Sequence, residues 1–155
     1  MRTWLLVILA LSVVGIATAG FRITPTKGSA VLLRSHRDLD WKPAMHLAPG
    51  AQYHLLREDP QNHGIQTLVR FPKRYTVPEH THTGDETLLV LKGKIEVRAG
   101  TAVRVLHPGD YAVLPKGVPH TLRSVGWSGA RFFTVMSAPY DINFVKPHSP
   151  APTPE

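Results

Sequence analysis

The stretch from Pro78 to Gly93, PEHTHTGDETLLVLKG, limits what this chain can fold into more than any other. His80 and His82 are one residue apart, and strand side chains alternate with period 2, so both imidazoles lie on one strand face while Thr81 points the other way. Thr83, Gly84 and Asp85 carry turn chemistry. Glu86 then opens ETLLVL, an apolar and β-branched run that reads as a return strand and brings its carboxylate opposite the histidines. Those three side chains have the character of metal ligands.

A second stretch, Gly109 to His120, reads GDYAVLPKGVPH: a strand, a Pro and Gly turn, and a further histidine. His120 is the natural fourth ligand. With 9 His, 14 Pro and 12 Gly in 155 residues, the two patterns are expected together by chance only about 4 × 10⁻⁴ times.

Together these stretches resemble the paired motifs of the cupin family, G(x)5HxH(x)3,4E(x)6G and G(x)5PxG(x)2H(x)3N. His80, His82, Glu86 and Gly93 carry the first, and Gly109, Pro115, Gly117 and His120 carry the second. Arg74 stands where the first motif opens with Gly, and Ser124 where the second closes with Asn. Neither is a ligand position, and a different turn before His80 is expected. The resemblance implies an all-β chain with a single cupin-type β-barrel, a double-stranded β-helix or jelly roll, whose mouth holds one divalent metal. It implies no one reaction.

A chain of this length builds one domain with a real core. Pro and Gly scattered between short apolar runs favour strands and turns. Without any Cys there is no disulfide frame, thiolate ligand or nucleophilic Cys. The 18 basic residues outnumber the 11 acidic ones, for a net charge of +7. They are spread singly (Lys94, Arg98, Arg104, Lys116, Arg123, Arg131), which argues against nucleic acid as a partner and for attraction of small anions.

In chain order, residues 1–19 read as a signal peptide: Arg2, an apolar stretch from Trp4 to about Ile16, and Ala17-Thr18-Ala19 before Gly20. The rival is an uncleaved anchor, although the apolar core is shorter than the roughly 20 residues of a spanning helix. Export follows either way, periplasmic or secreted, and the membrane is met only through this segment. Residues 20–48 form an arm, with Trp41 and Met45 packing on the outside of the barrel or on a second subunit of a homodimer. The barrel domain runs over 49–146 and a Pro-rich tail over 147–155. His36, His46, His54 and His63 have no partner at ligand spacing and read as surface or structural histidines. EDPQNHG turns a hairpin into the strand IQTLVRF. Arg70 points outward and Tyr75 into the core. Ile95, Val97, Val103 and Val105 share the buried face of a hairpin about Ala99 and Gly100. Phe132, Phe133, Val135 and Met136 read as core.

Three imidazoles and a carboxylate suit Fe, Mn, Ni, Cu or Zn. Alternation from Glu86 and His120 predicts a substrate pocket lined by Leu88, Val90, Leu122 and Ser124. The leading expectation is an oxygenase-type enzyme acting on a small organic molecule at the ion, with Glu86 able to serve as general base. A second is a module that holds a small anionic ligand at the same ion without turnover. A third is a structural site, disfavoured because burying four polar ligands is a costly way to stabilise a domain.

Overall fold

A computed structural model describes residues 32–145. The leader read over 1–19 and the tail over 147–155 lie outside the described residues. Among the described residues there are one short 3-10 turn, His36–Asp38, and eleven strands. β1 is Lys42–Pro43, β2 Gln52–Glu58, β3 Ile65–Phe71, β4 Thr76–Thr81, β5 Glu86–Lys92 and β6 Ile95–Ala99. β7 is Ala102–Leu106, β8 Tyr111–Leu114, β9 His120–Ser124, β10 Ala130–Met136 and β11 Asn143–Phe144.

The strands form two facing antiparallel sheets, six strands in the order β1-β2-β3-β10-β5-β8 and five in the order β11-β4-β9-β6-β7. This is a jelly-roll arrangement, but the two sheets stay separate and do not close into the barrel expected from the motifs. Their inner faces bury Phe71, Val77, Leu88, Val90, Ile95 and Phe132. Alternation accounts for β5, where Glu86, Leu88 and Val90 point inward and Thr87 and Leu89 are half-covered.

The hairpin at EDPQNHG forms as its turn residues dictate. Asp59 Oδ1 accepts from the Gln61 and Asn62 amides, and the Asp59 amide donates to the Gly64 carbonyl at 2.8 Å, delivering β3 over the expected IQTLVRF. Two other expectations fail on topology. β4 and β5 are not hairpin partners, because β4 lies in the five-stranded sheet and β5 in the six-stranded one, so Thr83-Gly84-Asp85 turns a corner between sheets. Gly84 has no room for a side chain there, since a Cβ would lie 2.3 Å from the Ser137 carbonyl oxygen. In the β6/β7 hairpin, Ala99 pairs with Ala102, which moves the turn to Gly100-Thr101. Val103 and Val105 then sit opposite Arg98 and Glu96 on the wet face, 39% and 42% exposed. A register slip of one residue exchanges the faces.

In β10, Phe132 is buried and Met136 half-buried toward the interior, but Phe133 and Val135 lie on the outer face, and Thr134 takes an inner position. Arg74 adopts a left-handed φ of 59°, a conformation most often given to Gly. Ser124 braces this turn, its hydroxyl accepting from the Tyr75 amide at 3.1 Å and donating to the Pro72 carbonyl. Tyr75 is core, as expected, and its hydroxyl donates to the Ala48 carbonyl.

Candidate metal centre

β4 and β9 pair so that His80 lies directly opposite His120, while His82 begins the corner and Glu86 begins β5. One potential ligand atom from each of the four residues falls within 4.8 Å of all the others, and all four side chains are buried. The corner is laced to the second motif: the Gly117 amide donates to the His82 carbonyl, and the Lys116 amide to Asp85 Oδ1, both at 2.9 Å. The two stretches therefore converge because their turns bind each other.

The hydrogen bonds behind the rings set how each imidazole presents itself. Nδ1 of His80 faces the Pro78 carbonyl at 2.7 Å, Nδ1 of His120 the Val118 carbonyl at 2.9 Å, and Nδ1 of His82 the Asp141 carbonyl. A carbonyl oxygen only accepts, so each Nδ1 carries a proton, and in the neutral ring, the form a ligand takes, the Nε2 lone pair turns to the cluster. Glu86 Oε1 accepts from the Thr134 hydroxyl at 3.0 Å. Glu86 Oε2 stands 3.4 Å from Nε2 of both His82 and His120. Those three atoms, His82 Nε2, His120 Nε2 and Glu86 Oε2, are buried without a hydrogen-bond partner. Leaving them so costs free energy that a cation among them would recover. The set fits a divalent transition metal with nitrogen and carboxylate ligands. These four residues could hold one metal ion.

Electrostatics agree with that role. Burial drives His80 down to about 4, favouring the neutral ring a ligand must be. For Glu86, burial favours the neutral acid, but His120 and His82 outweigh it and hold the carboxyl at about 2. A carboxylate that acidic is a weak base at neutral pH, and its Oε1 is already engaged by Thr134. The geometry leaves Glu86 Oε2 free to serve as a ligand while Thr134 engages Oε1. Burial works against the charged form of His82, yet the Glu86 carboxylate 3.4 Å away and the Asp141 carbonyl at Nδ1 raise its pKa.

A cavity of about 230 Å³ adjoins the cluster and is mostly apolar. Of the four expected pocket residues only Leu122 lines it. Leu88 and Val90 share the inward face with Glu86, but they lie deeper, in solid core with 0% and 1% exposure. Ser124 is committed to the turn before β4. The cavity instead extends under β2, β3 and β10, with Val69, Phe132 and Ile142 among its walls and Met45, Leu55 and Tyr140 as exposed lining residues. Met45 thus belongs to the cavity rather than to the outside. His54 is tied to the Asp40 carbonyl and His63 to Glu58, and neither joins the cluster.

Thr134 and Asp141 escaped the sequence reading. A threonine in RFFTVMSAP has no distinguishing spacing, although strict alternation from Phe132 would have pointed it inward. Asp141 reaches the site by a tertiary contact 59 residues from His82. Its carboxylate accepts from the Thr83 backbone amide at 2.8 Å and from the Asn143 side-chain Nδ2 at 2.9 Å, fixing the segment whose carbonyl orients His82.

Residues 67–136 match the cupin domain family. A curated relative from Arabidopsis thaliana, DNA damage-repair/toleration protein DRT102, is 29% identical over 138 residues. The match takes in 85% of this chain but only 42% of that protein, so the chain spans less than half the length of its relative. Among solved structures, the polyketide cyclase RemF from Streptomyces resistomycificus superimposes with a TM-score of 0.64 at 20% identity, covering 75% of this chain and 87% of that one. KdgF from Halomonas sp. gives 0.62 at 22% identity, with 72% and 97% covered. With both motifs folded into one donor cluster and a matching domain over residues 67–136, the chain belongs to the cupin superfamily.

Proposed function

We propose that this cupin is a metal-dependent enzyme of the oxygenase type, acting on a small and largely apolar organic molecule that presents an oxygen donor to the ion. The observation that carries the proposal is the set of three partnerless buried atoms, His82 Nε2, His120 Nε2 and Glu86 Oε2, beside an apolar cavity with exposed residues in its lining. When bound, a transition metal supplies Lewis acidity and, for iron, manganese or copper, one-electron chemistry. The chain's own residues do the rest. His80, His82, Glu86 and His120 are the proposed ligands, Thr134 holds the carboxylate, and three backbone carbonyls hold the rings. Val69, Leu122, Phe132 and Ile142 exclude water and would position an apolar substrate.

A redox-neutral reading of the same centre is favoured by two observations. RemF, whose fold is shared, is a polyketide cyclase. Tyr140 lines the cavity, and burial followed by the charge of Glu86 raises its pKa, so its hydroxyl stays protonated and can donate a hydrogen bond to a substrate oxygen. A non-catalytic binding module would use the same ion and cavity. We place the protein outside the cytoplasm on the strength of its apolar leader alone, and the mass of the mature N-terminus tests that placement.

Metal analysis of protein purified from its native compartment, followed by dioxygen-uptake assays over a panel of small hydroxylated aromatics and enols, separates these readings. Uptake that stops in His82→Ala supports the oxygenase. Substrate conversion without uptake moves the proposal to redox-neutral chemistry, and binding without any conversion leaves only the binding module.

A further inference from the structure

On the opposite face of the six-stranded sheet, strand register brings four side chains into one row. Gln52 pairs with Arg70, Arg70 with Arg131, and Arg131 with Lys92, across β2, β3, β10 and β5. Like charges directly opposite on adjacent strands are destabilising, and here three cations stand side by side. None has a carboxylate within 4.0 Å among the described residues.

Trp41 offsets part of this. The Arg70 guanidinium lies 4.3 Å from its ring centre and that of Arg131 5.4 Å, so Trp41 belongs to this face and braces both groups. An indole ring, however, has no lone pair to offer the guanidinium N–H groups. Gln52 Oε1 takes one of them, Arg70 Nε, at 2.6 Å. Its own amide nitrogen is a donor, so the row remains rich in donors and short of acceptors. Gln52, Arg70, Lys92 and Arg131, with Ser128, line a concavity of about 230 Å³.

We propose that this concavity binds a tetrahedral oxyanion, phosphate or sulfate, free or carried as the monoester of a small soluble molecule. Two guanidiniums braced by one ring present fixed forks, which suit an anion whose every oxygen accepts, and Lys92 adds a mobile point charge. The site shares no side chain with the metal ligands, so it stands or falls apart from the proposed activity.

Isothermal titration of the full metal-loaded protein with inorganic phosphate tests the proposal, with sulfate and acetate as comparison ions and near-UV circular dichroism as the check on folding. Expected are one saturable site, competition by sulfate, and affinity about tenfold weaker in Arg70→Gln and Arg131→Gln but unchanged in Lys94→Gln. Binding retained in His82→Ala separates this site from phosphate held at the metal. Should either arginine variant fail to fold, Lys92→Gln carries the test with a loss of about threefold. Absence of saturable binding, equal losses in Lys94→Gln, acetate binding as tightly as phosphate, or binding lost with the metal would each overturn the proposal.

Discussion

The inward-facing residues of strand β5 point to the same side and meet opposite fates. Glu86 reaches a cluster of polar atoms beside a cavity, whereas Leu88 and Val90, two and four residues on, are sealed in packed core. Alternation decides the face of a sheet a residue occupies, and the depth between the sheets decides what it meets there. At the deep end the interior is filled by side chains such as Ile95 and Phe132. At the other, the crossing from β4 to β5 and the returning segment through Asp141 leave room for ligands and for a cavity.

This contrast can be broken from either end. The largest effect is expected from the ligand end: His82→Ala should abolish uptake at limiting metal, weakening affinity by at least about 100-fold, because a ligand and the tautomer fixed by Asp141 are lost together. Full metal occupancy measured in that variant would remove His82 from the site. At the packed end, Leu88→Ala should cost about 2–5 kcal/mol of stability in urea unfolding, while metal stoichiometry in the folded protein stays intact. Loss of metal without loss of stability would place Leu88 at the cavity after all.

Smaller effects sharpen the boundary. Thr134→Val removes the hydroxyl that holds Glu86 Oε1 and should weaken metal affinity about 10- to 100-fold with little change in fold. Acid should act on the ligand end of the metal-free protein. His80 has an unfolded value of 6.5 and a folded one of about 4, so the unfolded chain takes the proton first; this contribution is complete above pH 6.5 and lost as pH falls toward 4. Glu86, lowered from 4.5 to about 2, adds a loss over that lower window. His82 is raised and opposes them, contributing stability below 6.5 that disappears as pH rises through its folded value. Urea midpoints at pH 7.5 and pH 4.5 check the balance, with the lower midpoint expected in acid; an unchanged midpoint would mean that His80 is not the controlling group. Least of all, Val103→Thr on the wet face of the β6/β7 hairpin should change stability by no more than about 0.5 kcal/mol.

The donor cluster was legible because both motifs are short and local, with fixed spacing from ligand to turn. Strand β3 and its hairpin were legible for the same reason, since EDPQNHG encodes its own hydrogen bonds. What escaped depended on distant pairing. The separation of β4 and β5 into two sheets follows from partners far along the chain, β9 for one and β10 with β8 for the other. Thr134 and Asp141 reach the site through such contacts, and the exposure of Val103 and Val105 turned on a single residue of register. Even the departures from the motif became intelligible only in three dimensions, where Arg74 takes a left-handed φ and Ser124 braces the same turn.

X-ray absorption at the metal edge of protein loaded with one equivalent of Co²⁺ tests the donor cluster most directly. One ion per chain is expected, in a shell with the multiple-scattering signature of three imidazoles and with a carboxylate oxygen, losing one imidazole in His120→Ala. A shell with fewer than three imidazoles, or one that His120→Ala leaves unchanged, would contradict the assignment of His80, His82, Glu86 and His120 to a single metal.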